Sequence, residues 1–112
     1  MRWVRIMSKQ ELPDGDFVRC LKAEGRKLCL IRHEGKLYAT QVTCPHAGGH
    51  FSGGWCEHGS LVCPIHRYSY SLETGRGAEG QGDYIDLYPT DMREDGVYAG
   101  FRVSWLGRLF GD

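Results

Sequence analysis

Two short runs hold the residue types with the most chemistry in this chain: Cys44-Pro45-His46 and, sixteen residues further on, Cys63-Pro64-Ile65-His66. Each run sets a thiol and an imidazole close together, and two such runs at this separation rarely arise by chance. Two thiolates and two imidazoles suit one tetrahedral zinc ion or an iron–sulfur centre, so donor type alone leaves the metal open. Spacing discriminates further. Zinc sites commonly use Cys-x2-4-Cys and His-x3-5-His pairs, in which a tight turn presents two like ligands to one ion. Here each arm supplies one sulfur and one nitrogen, so the two arms together could clamp the ends of a two-iron rhomb, sulfurs on one iron and nitrogens on the other.

The flanking residues suit rigid arms. Pro45 and Pro64 each follow a candidate cysteine, hold it in extended geometry and remove a backbone donor. Gly48 and Gly49 let the backbone curl so that amide N–H groups can point at sulfur. Cys56 lies between the arms but out of pattern and reads as structural or incidental. His33, His50 and His58 have no matched cysteine and read as surface or loop residues, with His50 nearest the first arm.

The elements that must position these arms read as β-structure. Helix-period signals are scarce, and Gly and Asp markers separate short β-branched or aromatic runs, which predicts an all-β domain of about eight to ten strands. An early strand fits Trp3 to Ile6. Ser8-Lys9-Gln10-Glu11 has the form of a capping box, and Pro13 confines it to a connector. Phe17 to Ala23 and Arg26 to Arg32 predict a hairpin turning at Glu24-Gly25. With that two-residue loop, paired numbers sum to 49, and Cys20 stands opposite Cys29. A disulfide or a shared metal is possible there; two small buried apolar side chains is the simpler expectation. Glu34-Gly35 turns the chain into Lys36 to Gln41, which leads to the first arm. Beyond the second arm, Tyr68 to Leu72 reads as a strand closed by Glu73-Thr74-Gly75, and the glycine-rich stretch Gly75 to Gly82 reads as a mobile surface loop. Ile85 to Tyr88 and Val97 to Val103 are expected to pair across an Asp95-Gly96 turn, and the apolar tail Trp105 to Phe110 to cover a sheet edge.

The two arms resemble the Rieske family, whose pattern is Cys-x-His, a gap of about fifteen to seventeen residues, and Cys-x2-His. The resemblance runs from about Phe17 to Val103 and includes Gly48-Gly49 and the Leu72-Glu73-Thr74-Gly75 turn. It is similar in length and layout to stand-alone Rieske ferredoxins serving ring-hydroxylating oxygenases and to the small subunit of nitrite reductases. The resemblance implies one [2Fe–2S] cluster held by Cys44, His46, Cys63 and His66. It also implies one three-sheet antiparallel β-domain over residues 1–112, with an inserted cluster-binding subdomain at about 43–72. In high-potential members each arm carries a further cysteine, and the two form a disulfide; the matching positions here are Gly49 and Ile65, so the potential is expected in the lower half of the Rieske range, about −150 to 0 mV. The chain departs from the pattern at Arg67, where most members have glycine. Arginine there either costs ~1–2 kcal/mol in left-handed geometry or sets a cation beside His66 and favours an acidic partner. Tyr68 and Tyr70 are expected to cap the cluster or pack in the core.

Composition bounds the remaining function classes. The chain has 112 residues, 41% apolar and 25% charged, which allows a single globular domain with little room for a second site. Fourteen basic residues balance fourteen acidic ones, giving no basic field for nucleic acid. No run of ~20 apolar residues could span a bilayer, the first residues lack a secretory signal, and the odd count of five cysteines fits metal binding in a reducing cytoplasm. No Ser-His-Asp set, nucleotide loop or separate iron site accompanies the arms. The expectation is a non-catalytic one-electron carrier that takes electrons from a reductase and passes them to an oxygenase or reductase, with no small-molecule substrate. The alternatives are a permanent nitrite reductase subunit and a zinc-stabilised interaction module.

Overall fold

The computed structural model describes residues 1–45 and 48–102. Its secondary structure is antiparallel β-sheet apart from two short 3-10 turns, Lys9–Glu11 and Phe51–Gly53. The first sheet runs β1 (Arg2–Ser8), β10 (Gly96–Phe101), β9 (Thr90–Arg93); the second β2 (Phe17–Ala23), β3 (Arg26–His33), β4 (Lys36–Thr40), β8 (Leu87–Tyr88); the third β5 (Trp55–Glu57), β6 (Ser60–Val62), β7 (Ser69–Ser71).

The tight turns follow from left-handed residues. Glu24-Gly25 has φ of +48° and +80°, and Glu34-Gly35 has +51° and +81°, the paired positive values that match hairpin twist. The first turn sets the β2–β3 register at Phe17↔Arg32 through Cys20↔Cys29 to Ala23↔Arg26. Cys20 and Cys29 are joined there as a disulfide, the less simple of the two expectations. At the connector after β1, the Glu11 carboxylate folds back on Ser8, accepting from its hydroxyl at 2.7 Å.

β3 is buried on both faces, and its period of two divides the interior. Leu28 and Leu30 face a core shared with Val4, Ile6, Val97, Ala99 and Phe101 of the first sheet. Cys29 and Ile31 face a second core with Phe51, Leu61, Tyr70, Leu72, Ile85 and the two arm cysteines, Cys44 and Cys63. All four β3 residues are fully enclosed, and burying each leucine or isoleucine contributes about 1.5–3 kcal/mol. One strand therefore ties the sandwich to the region that carries the arms.

Three expectations change. The strand at Leu87–Tyr88 pairs with β4, not with β10; the hairpin partner of β10 is Thr90–Arg93, turning at Glu94-Asp95. Gly96 then begins β10, and a Cβ there would collide with the Met7 carbonyl oxygen, so the close approach of β1 requires glycine. The β5–β6 hairpin is an addition to the expected strands. It turns at His58-Gly59, φ +48° and +78°, an X-Gly signature of the same kind as the two turns before it. The stretch from Gly75 to Gly82 is a loop, but bridges Tyr70↔Gly77 and Arg76↔Tyr84 and the Ser71 N–H to Arg76 O bond (2.8 Å) pin it to β7. Val103 and the tail Trp105 to Phe110 lie outside the described residues.

Candidate metal centre

The first arm leaves the end of β4 and is closed by its own backbone. Thr43 bridges His50, the Cys44 N–H donates to the Gly49 carbonyl (2.7 Å), and the Gly48 N–H returns to the Cys44 carbonyl (2.8 Å). Gly48 takes φ +68°, the left-handed geometry that the tight return requires. His46 lies outside the described residues. The second arm joins β6 to β7, closed by the Cys63 N–H donating to the Tyr68 carbonyl (2.7 Å). Between them Pro64, Ile65, His66 and Arg67 are exposed, and His66 and Arg67 have φ of +58° and +55°. Arg67 therefore occupies the strained geometry that glycine adopts freely, a cost of ~1–2 kcal/mol. Its guanidinium lies 5.7 Å from the Trp55 ring centroid, a contact that offsets about 0.5–1 kcal/mol of that cost.

The two arms bring Cys44 and Cys63 together in the second core, 1% and 0% exposed, with their side chains in hydrogen-bond contact. Burial pushes the Cys63 thiol above its ordinary range; the Ile65 N–H, donating to it, pulls the other way, and the neighbouring Cys44 pushes it up again. Two adjacent buried thiols cannot both ionise in an apolar core by themselves, but a metal takes both protons' places. Gly49 makes the pairing possible: a Cβ there would lie 2.8 Å from the Cys63 sulfur and 3.0 Å from the end of the Ile65 side chain. Gly49 and Ile65, the positions matched above to the paired cysteines of high-potential members, thus face each other across the arms. His66 is exposed, its ring 6.3 Å from that of Tyr68 in an edge arrangement. Among the described residues no three of His, Cys, Asp and Glu gather to hold a single ion. A sulfur pair inside and an imidazole outside suit a two-iron centre.

Tyr70 supports the sulfurs from behind. It is fully buried, its ring stands edge-on to Phe51 (centroids 5.9 Å, 81°), and its Oη lies 3.2 Å from Cys44 Sγ. The phenol also donates to Asp83 Oδ2 (2.8 Å). Burial first, then the contacts with Cys44 and Asp83, push its ionisation far above the usual tyrosine range, so it keeps its proton. Sequence reading placed Tyr70 near the arms but missed Asp83 and Gln81, because a glycine-rich stretch carries no pattern that aims a carboxylate inward.

The other chemical residues serve structure. His33 Nε2 accepts from the Gly59 N–H (3.1 Å), His50 Nδ1 accepts from the Ser52 N–H (3.2 Å) at the start of a 3-10 turn, and His58 forms half of a hairpin turn. Cys56 pairs with Leu61 in the third sheet, and burial, aided by Asp16, pushes its thiol up to about 11, which leaves it inert near neutral pH.

Comparison with known proteins agrees with this geometry. A family model described as the Rieske [2Fe–2S] domain matches residues 2–84. The ferredoxin component of the naphthalene 1,2-dioxygenase system of Pseudomonas aeruginosa is 35% identical over 75 residues, covering 67% of this chain and 71% of that protein. The 3-phenylpropionate/cinnamic acid dioxygenase ferredoxin subunit of Photorhabdus laumondii is 28% identical over 83% of this chain and 89% of its own. Among solved structures, the ferredoxin of carbazole 1,9a-dioxygenase from Nocardioides aromaticivorans IC177 shares the fold at a TM-score of 0.77 and 18% identity, covering 91% of this chain and all of that one.

Proposed function

The chain belongs to the Rieske [2Fe–2S] family, and from that premise we propose that Cys44 and Cys63 bind one iron of its cluster, that His46 and His66 bind the other, and that the loaded protein carries single electrons to an oxygenase. The observation that carries this reading is the pairing of two buried thiols from separate arms, with His66 exposed beyond them. When bound, the cluster supplies one chemistry, the uptake and release of one electron.

The chain's own residues do the rest. The second core keeps water from the sulfurs, and the closed arms keep their geometry when the charge changes. The left-handed turn at His66 and Arg67 sets the imidazole at the surface, which shortens the path to a partner. With glycine and isoleucine facing each other where high-potential members place a disulfide, the potential falls at about −150 to 0 mV. Relatives named as ferredoxin components of dioxygenase systems support an oxygenase as acceptor; the donor we infer is a reductase.

The carrier has no catalytic residue of its own. It acts as one domain over residues 1–112, whose part from about 43 to 72 holds the cluster. No helix among the described residues is long and apolar enough to cross a membrane.

Electron paramagnetic resonance of the dithionite-reduced protein, with iron and acid-labile sulfide counted on the same sample, tests the reading. The expected result is a rhombic signal of low average g-value at about two irons per chain. A colourless, signal-free protein loaded with zinc would replace the carrier with a structural zinc module.

A further inference from the structure

The hydrogen bond between Tyr70 and the Cys44 sulfur has a competitor. A phenol has one proton, and the Tyr70 oxygen touches two groups that can accept it: Cys44 Sγ at 3.2 Å and Asp83 Oδ2 at 2.8 Å. When Cys44 binds iron its sulfur carries no proton, so it can only accept. The carboxylate distance is the preferred one for O–H···O, and an ionised carboxylate outcompetes a sulfur that shares its charge with iron.

The surroundings hold Asp83 in this role. Gln81 Nε2 donates to Asp83 Oδ1 (3.2 Å), while Gln81 Oε1 accepts the Ser69 N–H (3.1 Å), so the carboxylate is anchored to β7 with its second oxygen towards Tyr70. The Gly77 N–H donates to the Asp83 carbonyl (2.9 Å). A Cβ at Gly77 would strike Asp83 Oδ1 and Gln81 Nε2, each at 2.6 Å. The glycine-rich loop is thus shaped around this carboxylate.

We propose that Asp83 is a positioning residue for electron transfer: by taking the only phenolic proton of Tyr70 it withholds a hydrogen bond from the Cys44 sulfur and holds the reduction potential low. The inference rests on Cys44 being an iron ligand, as proposed above. Its physical basis is that a hydrogen bond to a ligand sulfur stabilises the more negative, reduced cluster, so removing that bond lowers the potential. The charge of Asp83 lowers the potential as well, by repelling the added electron through space. A double-mutant cycle separates the two effects, because only the first needs the Tyr70 hydroxyl.

The test measures reduction potentials of the wild type, Tyr70→Phe, Asp83→Asn and the double variant, at one pH and ionic strength, each preparation first confirmed at two irons per chain. Tyr70→Phe alone is expected to change the reduction equilibrium constant less than about twofold, since its proton does not reach the sulfur in the wild type. Asp83→Asn leaves only a neutral, weaker acceptor, which shifts the proton towards the sulfur and raises the constant about tenfold, which is 59 mV for a one-electron couple. In the Tyr70→Phe background, the same replacement is expected to lose at least half of that rise. Asp83→Ala, which has no side-chain acceptor, should raise the constant at least as far as Asp83→Asn. Equal shifts on removing the carboxylate, whether or not the Tyr70 hydroxyl is present, would overturn the inference and leave only a through-space charge; so would a fall of about tenfold in Tyr70→Phe alone. A wild-type preparation lacking two irons per chain would instead sink the ligand reading, and the inference with it, before any potential is measured.

Discussion

Two pairs of cysteines meet across neighbouring backbone in this molecule, and their settings differ in a way that explains their different chemistry. Cys20 and Cys29 sit in facing strands of a hairpin, where a ladder of seven matched pairs fixes both backbones and directs both side chains to one face. The regular sheet leaves the two sulfurs only each other, and they are joined. Cys44 and Cys63 come from two loops, each closed by a backbone bond from the cysteine N–H itself. Prolines, left-handed residues and the missing Cβ of Gly49 bring the sulfurs side by side without joining them. Both pairs border the same core, which includes Cys29, Cys44 and Cys63. Regular structure seals a thiol pair; irregular loops held by it keep one available for metal.

The largest effect should come from removing a sulfur of the loop pair. Cys63→Ser is expected to abolish iron loading and colour, measured by absorption and iron content, while far-ultraviolet circular dichroism keeps the β-sheet signal of the sandwich. Retained two-iron loading in that variant would break the contrast between the pairs.

Removing the hairpin pair should do the reverse. The double variant Cys20→Ala, Cys29→Ala opens a cross-link of sequence separation 9. By chain entropy that loss costs about 2–3 kcal/mol in urea unfolding, with the paramagnetic signal of the reduced cluster unchanged. A changed signal would mean that the disulfide helps shape the metal centre and that the two pairs form one system.

Gly49→Ala tests the gap itself. The added methyl would press on the Cys63 sulfur and the Ile65 side chain, and overpacking of this kind costs about 1–3 kcal/mol. Cluster retention during dialysis against a chelator should shorten relative to wild type. A control, Gly25→Ala, has no neighbour within 4 Å. It should strain the hairpin turn and leave retention unchanged.

How much of the molecule is legible in its sequence follows the same division. The hairpins at Glu24-Gly25 and Glu34-Gly35 and the Cys20↔Cys29 register can be read because local turn chemistry dictates strand pairing over short distances. The meeting of the two arm cysteines, Cys44 and Cys63, and the all-β class are also readable from spacing and punctuation. The pairing of Leu87–Tyr88 with β4 is not, because that two-residue strand is placed by contacts 45 residues apart, such as the Asp86 N–H to Gln41 Oε1 bond (2.7 Å). His58-Gly59 carries a turn signal of the readable kind, but its flanking strands are only three residues long and show no clear alternation. Asp83 reaches Tyr70 through a folded loop, and one-dimensional spacing does not encode that approach.

The smallest stability effect, and the one that bears on partners, concerns Arg67. Replacing it with glycine relieves left-handed strain worth ~1–2 kcal/mol and removes a contact with Trp55 worth about 0.5–1 kcal/mol, so net stability should rise by about 0–1.5 kcal/mol. Folding alone does not account for an arginine at this position. A cation next to an exposed His66, on a tip otherwise lined by Pro64 and Ile65, speeds encounter with an acidic partner surface. Arg67→Gly should therefore slow electron delivery to the oxygenase several-fold at low salt, the difference shrinking towards about 0.5 M salt as the charges are screened. Stopped-flow reoxidation of the reduced carrier across an ionic-strength series measures this. Equal rates for both proteins at every salt concentration would assign Arg67 to the turn alone and leave the docking contact to the apolar residues beside it.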